Sequence, residues 1–499
     1  MYDEIKEYNK EIMSFHMPGH KGKPGIILEH PHLYDVTEVE GTDDLHHATG
    51  IIKDVCDQIA TVFGAYKTFM LVNGSTSGIL ASVSATTKKR DTIMIARNCH
   101  KSVFNSVLVN ELEVKYLYPK YDETYDFFTN IEPSDLLKAL DLTKDVIQAV
   151  VITSPTYEGI TSDIRGISQI CHDHNIVLIV DEAHGAHLVF GDQLPSSSLE
   201  QGADIVIQST HKTLPCLTQS AILHVSKDAV LNSRVDLNEM QRYLSIYQTS
   251  SPSYVLMSSI EEGIKYMEEH RMEYNQLVAH TINKLNGYSS DYGKWLSNDD
   301  RTRLTYLINP NRIAMTGWNL SAALRHKYKI QVELSSEHYI IAITTIMDTI
   351  ENITYLMDSI DGCIEEYLMD SIDGFTEEHL AVCKEAPSVK SENIKKSPNH
   401  NLNSKYKMDG LSLFRENQLN AALPIYKAVE EPYENIALNK CVGRISREFI
   451  IPYPPGIPMV VPGEKLTVEM CEYLKQLVKN DREVYGIIEG EIHVLKEQK

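Results

Sequence analysis

The sequence ADIVIQSTHK, residues 203–212, places a short polar motif directly after a run of β-branched residues. A continuous apolar run of about four to eight residues is typical of a strand buried on both faces of a parallel sheet. Six candidate strands lie between residues 51 and 285: Thr68–Val72, Thr92–Ala96, Ala149–Thr153, Ile176–Val180, Asp204–Gln208 and Ala221–Val225. Helical patterns such as Ile167–His174 separate them, so we predict a doubly wound α/β domain with a mostly parallel sheet.

Polar motifs follow five of these candidate strands. They are NGSTSG (73–78), RNCHKS (97–102), SPTYEG (154–159), DEAHG (181–185) and STHK (209–212). The carboxyl ends of parallel strands meet at one edge of the sheet, and ligands of such folds bind at that edge. The sequence therefore predicts one ligand site to which all five motifs contribute.

The composition is that of a globular protein with an acidic balance. The 499 residues carry a formal charge of −22, which argues against a nucleic-acid partner because phosphate binding needs clustered Lys and Arg. The charge would attract a cationic substrate, although it also serves solubility alone. The eight cysteines form no CxxC pair, the first residues are too polar for a signal peptide, and no apolar run approaches the roughly 18 residues that span a bilayer. We expect a cytoplasmic protein without a membrane partner.

Two residues at strand ends suggest covalent cofactor chemistry. A lysine at the position of Lys212 can bond to a carbonyl cofactor if its amine is neutral, although a surface lysine is equally compatible with the motif. Asp181 ends a buried strand, where a carboxylate is costly without a partner. A pyridinium nitrogen is a suitable partner, and a metal-binding or helix-capping role is the alternative.

Three further motifs have both a functional and a structural interpretation. Ser75, Thr76 and Ser77 could hold a phosphate at a helix start, or cap an ordinary helix. His100 could stack on a flat cofactor, or make a structural hydrogen bond. His184 and His187, together with Asp181, could be metal ligands, but the further ligand and second shell that zinc requires are not evident, so we predict no metal.

The chain divides into five predicted segments. They are an N-terminal segment (1–50), a large domain (51–285), a small α+β domain (286–383), a polar linker (384–405) and a C-terminal domain (406–499). The prolines within residues 449–458 argue against a regular strand or helix there. The motif YLMDSIDG occurs at 355–362 and again at 367–374, which indicates a local duplication that extends a surface helix.

Together these motifs resemble the Orn/Lys/Arg decarboxylase family of fold-type-I pyridoxal-phosphate enzymes. The resemblance covers most of the chain in the expected order. It opens with FHMPGHKG (15–22) and DDLHH (43–47), continues through the strand-end motifs and DEAHGAH (181–187), and closes with PYPPGIP (452–458) and PGE (462–464). A generic aminotransferase is not expected to carry both the opening and the closing segments.

The resemblance implies roles around pyridoxal 5'-phosphate. Lys212 is implied to hold the cofactor as a Schiff base, Asp181 to pair with the pyridine nitrogen, and His100 to stack on the ring. The remaining cofactor residues are Ser75, Thr76, Ser209 and His211 at phosphate-holding positions, with Ser77 and His184 beside them.

The resemblance also implies an assembly and a substrate. The segment Thr249-Ser250-Ser251-Pro252 is similar to one that reaches the phosphate from the neighbouring subunit, so we expect a homodimer or higher oligomer with shared active sites. Glu333 matches a position that recognises the distal cation of the substrate, although an exposed strand carboxylate would look the same; Asp43 and Asp44 are further candidates. The FHMPGHKG segment begins at residue 15, so the chain is expected to be similar to the shorter, biosynthetic-type members.

The expected reaction is decarboxylation of a basic amino acid in polyamine biosynthesis, with arginine favoured and lysine or ornithine open. Lys212 or His211 would return a proton to the α-carbon, and His100 and Asp181 complete the catalytic set. An aminotransferase of the same fold and a catalytically silent binding protein are the two alternatives.

Overall fold

Strands form where the sequence runs continuously apolar, and the polar motifs end them. The computed structural model describes residues 1–23, 30–372, 421–452, 456–479 and 482–497. The strands are β1 (Met13–Phe15), β2 (Lys67–Leu71), β3 (Thr92–Ala96), β4 (Glu113–Leu117), β5 (Tyr121–Asp122), β6 (Phe127–Phe128), β7 (Ile147–Thr153), β8 (Val177–Asp181), β9 (Ile205–Gln208), β10 (Ala221–Val225), β11 (Gly293–Trp295), β12 (Arg303–Ile308), β13 (Ile330–Val332), β14 (Leu334–Ser335), β15 (Tyr339–Ile343), β16 (Tyr433–Ala437), β17 (Ile451–Pro452), β18 (Val484–Tyr485) and β19 (Glu491–Leu495).

Helices alternate with the strands in the first half of the chain, and further helices follow in the second half. They are α1 (Tyr2–Glu11), α2 (Ile51–Phe63), α3 (Gly74–Thr86), α4 (Lys101–Val109), α5 (Pro133–Leu142), α6 (Ile164–Asp173), α7 (Thr210–Thr213), α8 (Lys227–Leu231), α9 (Leu237–Tyr247), α10 (Tyr254–Glu269), α11 (Arg271–Gly287), α12 (Gly317–Lys327), α13 (Ile350–Ile372), α14 (Ile425–Ala428) and α15 (Val468–Lys479). Within the described ranges, none of these helices combines the length and the apolar character needed to cross a bilayer.

Seven strands form the main sheet, in the order β2-β10-β9-β8-β7-β3-β4. β10 runs antiparallel to both of its neighbours, and all other neighbouring pairs are parallel. β8 lies at the centre of the sheet and all of its residues are buried. The predicted α/β fold with a mostly parallel sheet is therefore confirmed.

Helices cover both faces of this sheet. On one face, α3 packs against α4 and α9 over a core that includes Ile79 and Leu223. On the other face, α2 and α10 enclose a second core that includes Ile52 and Ile222. Because Ile222 and Leu223 are successive residues of β10, they point to opposite faces, as the alternation of a strand requires.

The six predicted strands are all present, with ends that differ by at most two residues. The sequence pattern missed β4, which is the edge strand of the main sheet. Its residues Glu113, Val114 and Lys115 are only half-buried. An edge strand tolerates such polar residues, so it lacks the continuous apolar run on which the other assignments rested.

A second unit is built on an antiparallel sheet of order β11-β12-β15-β14. α12, α13 and the end of α11 pack on it through Leu320, Ile353 and Leu285. Strand β1 pairs in parallel with β13, so that Met13 lies opposite Ile330. The first residues of the chain are therefore built into this second unit, directly before the PGHK segment.

The YLMDSIDG duplication lies on the single helix α13. Twelve residues advance an α-helix by three turns and about 120°, so equivalent residues of the two copies face different directions. Tyr355 is accordingly exposed, whereas Tyr367 packs against the core that contains Leu356 and Ile360. The helix lies at the surface with one face in the core. The end of the second copy (373–374) and the predicted linker (384–405) lie outside the described residues.

The C-terminal unit contains the antiparallel pair β16 and β19, the antiparallel pair β17 and β18, and helix α15. The prediction that its prolines forbid a strand is wrong in one detail, because Ile451–Pro452 forms β17 and pairs with Val484–Tyr485. The strand is only two residues long, and a proline is tolerated in a short edge strand because no neighbour needs its missing N–H. Residues 453–455 lie outside the described residues.

A buried ion pair joins the C-terminal unit to the main sheet. Arg97 follows β3 and is 0% exposed, and its Nη2 lies 3.4 Å from Oε2 of Glu464, which is 1% exposed. Arg97 also donates to the carbonyl oxygens of Pro458 (2.5 Å) and Met459 (3.0 Å). Pro458, Met459 and Glu464 of the closing segments thus dock on the residue that lies three positions before His100.

Removing one partner of this pair should destabilise the docked C-terminal unit. We expect Arg97→Leu to lower the free energy of unfolding by about 3–5 kcal/mol in urea, because Glu464 remains buried without its counter-charge. The double change Arg97→Leu with Glu464→Leu should recover much of this loss. Arg242→Leu, which breaks an exposed pair with Glu239, should cost about 1 kcal/mol or less. Equal losses of unfolding free energy in Arg97→Leu and Arg242→Leu would contradict the buried ion pair of Arg97 and Glu464.

Candidate active site

The carboxyl ends of β8 and β9 bring the first two candidate residues to one edge of the sheet. Asp181 is the last residue of β8, and Lys212 lies in α7, the single helical turn that follows β9. β8 and β9 are parallel neighbours. The Nζ of Lys212 lies 3.0 Å from Nε2 of His184, three residues beyond Asp181. Three of the predicted site residues therefore form one cluster.

The surroundings of Lys212 disfavour its charged form. Burial lowers the pKa of Lys212 below the ordinary lysine value, the Asp181 carboxylate opposes this effect, and the guanidinium of Arg303 adds to it. Glu333 acts in the same direction as Asp181 but more weakly. The net lowering of the pKa favours the neutral amine, which is the nucleophilic form of a lysine.

Asp181 is a buried carboxylate with few hydrogen-bond partners. It is 4% exposed, and its Oδ1 accepts a hydrogen bond of 3.2 Å from the N–H of Ala183. Burial raises the pKa of Asp181, and Lys212 opposes this rise. A cationic N–H group placed against the carboxylate would stabilise its ionised form.

His100 and His211 are neutral imidazoles with defined hydrogen bonds. Burial and the positive charge of Lys212 lower the pKa of His100 to about 4, and its Nδ1 accepts from the N–H of Ser102 at 3.3 Å. Burial likewise lowers the pKa of His211 to about 4. Its Nδ1 lies 2.8 Å from the carbonyl oxygen of Ser220, so Nδ1 must donate and Nε2 keeps a free lone pair.

The first turn of α3 offers the groups that bind a phosphate. Gly74 begins the helix with a φ of 72°, a left-handed conformation that glycine adopts without strain. The side chain of Asn73 does not cap the helix, so the first backbone N–H groups are left for a ligand. Ser77 is buried and donates to the carbonyl oxygen of Gly74 at 2.8 Å, whereas Ser75 is half-buried and Thr76 exposed.

Ser209 has an unused hydrogen-bonding group. Its Oγ is buried, and among the described residues it has no hydrogen-bond partner. A buried hydroxyl without a partner costs free energy, which a polar ligand group would offset. Ser209 caps α7 and precedes Lys212 by one turn.

The opening PGHK segment packs directly on the helix that carries Lys212. The N–H of Gly19 donates to the carbonyl oxygen of His211 at 2.7 Å, and Thr345 Oγ1 donates to the carbonyl oxygen of Gly19 at 2.8 Å. Lys21 donates to the carbonyl oxygens of His16 (2.9 Å) and Ile343 (2.8 Å). The segment therefore ties the second unit to the Lys212 turn.

Glu333 is connected to the same cluster through Tyr157. Its carboxylate accepts a hydrogen bond from the N–H of Met17 at 2.8 Å and another from the hydroxyl of Tyr157. The ring of Tyr157 packs on the ring of His184, with 4.7 Å between the centroids. The structure thus places Glu333 among the charged residues around Lys212.

Asp43 and Asp44 have local structural partners instead. The Asp43 carboxylate accepts hydrogen bonds from the backbone N–H groups of Gly50 and Ile52 at the start of α2. Asp44 accepts from the N–H of His46 at 2.8 Å. Both carboxylates thus have a capping role, which an aspartate before a helix commonly provides, and their interpretation as substrate-binding carboxylates stays a prediction.

The Thr249–Ser251 segment is exposed on this chain. The N–H of Thr249 donates to the side chain of Asn73 at 3.2 Å, so the segment lies close to the start of α3. Its predicted contact with a neighbouring subunit stays a prediction.

Sequence reasoning missed Arg303 and did not single out Tyr157. Arg303 begins the buried strand β12 and is 1% exposed. A charged residue inside the apolar run of β12 is the same signal that identified Asp181, and it could have drawn attention to Arg303. Nothing in the local sequence indicates its partner His184, which is 119 residues away in the chain.

A mostly parallel sheet with one antiparallel strand, and a lysine and an aspartate at its carboxyl edge, is the arrangement of the fold-type-I class. A solved lysine decarboxylase, LdcF of Francisella novicida, shares this fold with a TM-score of 0.70 at 19% identity, over 91% of this chain and 73% of that one.

Relatives match the whole chain more closely. An arginine decarboxylase of Bacillus subtilis is 30% identical over 100% of this chain and 98% of its own length. An uncharacterised B. subtilis protein, YaaO, is 29% identical over 97% and 94%. The model for "Orn/Lys/Arg decarboxylase, major domain" matches residues 1–350, and that for the C-terminal domain of the same family matches residues 406–499. The chain belongs to the Orn/Lys/Arg decarboxylase family, which confirms the resemblance.

The close contact at Gly19 is open to a direct test. A Cβ atom at this position would lie 2.3 Å from the carbonyl oxygen of Leu214, so Gly19→Ala must push the opening segment away from the Lys212 turn. We expect a loss of about 1–3 kcal/mol in the free energy of unfolding. Gly287→Ala is the control, because its Cβ would meet nothing within 4 Å. Unfolding in urea measures the stability of both variants. An unchanged free energy of unfolding in Gly19→Ala would refute the contact.

Proposed function

We propose that this chain decarboxylates a basic amino acid with the aid of pyridoxal 5'-phosphate, with arginine as the favoured substrate. The observation that carries the proposal is the electrostatic interaction of Lys212, whose pKa is lowered by burial, with the buried carboxylate of Asp181 at the carboxyl edge of the sheet. Ionisable groups with shifted pKa values that converge in this way are typical of catalytic sites. Relatives named arginine decarboxylase that match nearly the whole chain favour arginine.

The available groups fit the cofactor. Lys212 offers an amine for its aldehyde, Asp181 a carboxylate for its ring nitrogen, and the neutral ring of His100 a stacking surface. Its phosphate would be held by Ser75, Thr76 and the N–H groups of α3, with the unused hydroxyl of Ser209 as a further donor. When bound, pyridoxal phosphate supplies an electron sink for the bond that breaks at the α-carbon.

Decarboxylation replaces the α-carboxylate by a proton, so a proton donor must face the α-carbon. We assign this role to Lys212 or His211. The Nδ1 of His211 is occupied by the carbonyl oxygen of Ser220, so only its Nε2 can carry a proton to and from the substrate. Lys212 has no such restriction.

Glu333 is the proposed partner of the distal cation of the substrate. Each of its oxygens accepts one hydrogen bond, from Met17 and from Tyr157, and keeps a lone pair for a further donor. These two bonds hold the carboxylate in place before substrate arrives. Thr249 and Ser250, which are exposed on this chain, would contribute to the active site of a second copy in a homodimer, as the resemblance to the family implies.

The reaction is tested by incubating the full-length protein with arginine, lysine or ornithine, with and without pyridoxal phosphate. We expect release of CO2 and the corresponding amine, fastest from arginine. Lys212→Ala should lower turnover by roughly 100-fold or more and abolish the visible absorbance of lysine-bound cofactor. Lys227→Ala, which changes an exposed lysine, is the control.

Other products would point to the alternatives. A keto acid together with an aminated cofactor identifies an aminotransferase of the same fold. Cofactor absorbance without any product from the three amino acids refutes the decarboxylase and favours a silent binding protein.

The role of Glu333 predicts a change in KM. Glu333→Gln keeps the size of the side chain but removes its charge, so the KM for the basic amino acid should rise by about 10- to 100-fold, with a smaller effect on kcat. Glu337→Gln, at an exposed position four residues away, should leave both constants unchanged. Steady-state kinetics measure both constants. An unaltered KM in Glu333→Gln would show that Glu333 does not bind the substrate.

A further inference from the structure

The buried Arg303 makes a contact that fixes where a proton lies. Its Nη2 lies 3.0 Å from Nδ1 of His184 and 3.1 Å from the carbonyl oxygen of the same residue. A guanidinium has only donors and does not lose its proton in proteins. The Nδ1 of His184 must therefore accept, and it carries no hydrogen.

His184 then has a single possible tautomer. Burial, reinforced by the positive charge of Arg303, lowers the pKa of His184 well below the ordinary histidine value, and a ring whose Nδ1 accepts a hydrogen bond cannot be doubly protonated, so the ring is neutral. A neutral imidazole carries one N–H, and because Nδ1 is excluded, the hydrogen is on Nε2.

This tautomer determines whether His184 presents a donor or an acceptor to Lys212. The Nε2 of His184 lies 3.0 Å from Nζ of Lys212. An ammonium group has three donors and no acceptor, so it cannot face an N–H at hydrogen-bond distance. A neutral amine can accept that hydrogen with its lone pair. The contact is therefore favourable only for an uncharged Lys212.

Arg303 is itself held in place by an anion. Its Nε lies 3.7 Å from Oδ2 of Asp300, and both residues are fully buried. Burial opposes ionisation of Asp300, but His187 and Arg303 outweigh it and lower the pKa of Asp300 to about 2. The hydroxyl of Thr302 donates to the same carboxylate at 2.6 Å. The guanidinium thus has a buried counter-charge in Asp300.

The other ionisable groups around Lys212 do not change this conclusion. Asp181 and Glu333 favour its charged form, whereas Arg303 disfavours it. His100 and His211 also lie within electrostatic reach of His184, and both are neutral near pH 7 because burial lowers their pKa to about 4. The two carboxylates act through space, while the Nε2–H of His184 is in direct contact with the amine.

We propose that Arg303 and His184 are positioning residues that hold Lys212 as a neutral amine, ready to bond to the aldehyde carbon of a cofactor with release of one water. Arg303 sets the tautomer of His184, and that tautomer donates to Lys212. The inference rests on the proposed function only for the identity of the aldehyde. The protonation state of Lys212 can be measured without cofactor or substrate.

The test is trace labelling of the full-length chain, free of cofactor, with acetic anhydride between pH 6 and 10. Only neutral amines react, and mass spectrometry of the peptides gives a titration midpoint for each lysine. We expect the midpoint of Lys212 to lie at least about one pH unit below that of the exposed Lys227.

Two variants test whether Arg303 acts on Lys212 through His184. In Arg303→Gln and in His184→Leu, the midpoint of Lys212 should rise by about one unit, so labelling near pH 7 should fall about tenfold. Arg301→Gln is the matched control, because Arg301 bonds Leu296 and Asn286 rather than His184. His184→Gln keeps an acceptor and a donor in one amide. Its Lys212 midpoint should therefore lie closer to that of the unmodified protein than the midpoint in His184→Leu does.

The sign of the shift in His184→Leu decides between the two directions of the hydrogen bond. If His184 accepted from a charged Lys212, its removal would lower the midpoint, and a lowered or unchanged midpoint therefore overturns the proposal. If circular dichroism shows that the variants do not fold, the unmodified chain decides: a Lys212 midpoint equal to that of Lys227 overturns the proposal, and one lower by a unit supports it. Absence of decarboxylation alongside a lowered midpoint would count against the proposed function only.

Discussion

The series of contacts Asp300–Arg303–His184–Lys212, an ion pair followed by two hydrogen bonds, is the constraint on which the site depends. Burying an isolated charge costs several kcal/mol, so a guanidinium inside the protein requires both a counter-ion and acceptors for its N–H groups. Asp300 provides the charge, and the ring and carbonyl of His184 provide the acceptors. With Nδ1 of His184 engaged by Arg303, the ring hydrogen lies on Nε2, which faces Nζ of Lys212. In the proposed arrangement, the contacts that accommodate a buried guanidinium thereby also set the protonation state of Lys212.

The two ends of the chain reinforce this edge of the sheet from opposite directions. Gly19, near the start, bonds to the carbonyl of His211, while Glu464, near the end, pairs with Arg97 close to His100. Both contacts are buried, and both involve a residue next to the proposed cofactor site. The opening and closing motifs thus support the same edge of the sheet as the strand-end motifs, although several hundred residues separate them.

The sequence predicted those parts that local chemistry determines. Buried strands such as β8 were evident because no half-exposed strand can be continuously apolar, and the edge strand β4 was missed for the converse reason. The capping bonds of Asp43 were not foreseen because a carboxylate before a helix looks alike whether it caps the helix or binds a ligand. Arg303 was overlooked because its role arises only from contact with His184, and a single sequence carries no record of that pairing.

In the proposed function, the geometry at Glu333 also limits how substrates can be distinguished. Lysine and ornithine differ by one methylene, and burying a methylene contributes only about 0.8 kcal/mol, which is roughly a fourfold preference. Arginine differs in the shape of its head group, because a guanidinium can bond to both oxygens of a carboxylate in one plane. The bonds from Met17 and Tyr157 leave one lone pair on each oxygen of Glu333. A carboxylate held in this way binds a guanidinium through two hydrogen bonds but an ammonium through fewer. The geometry of the head group therefore distinguishes arginine from lysine and ornithine more strongly than chain length distinguishes lysine from ornithine.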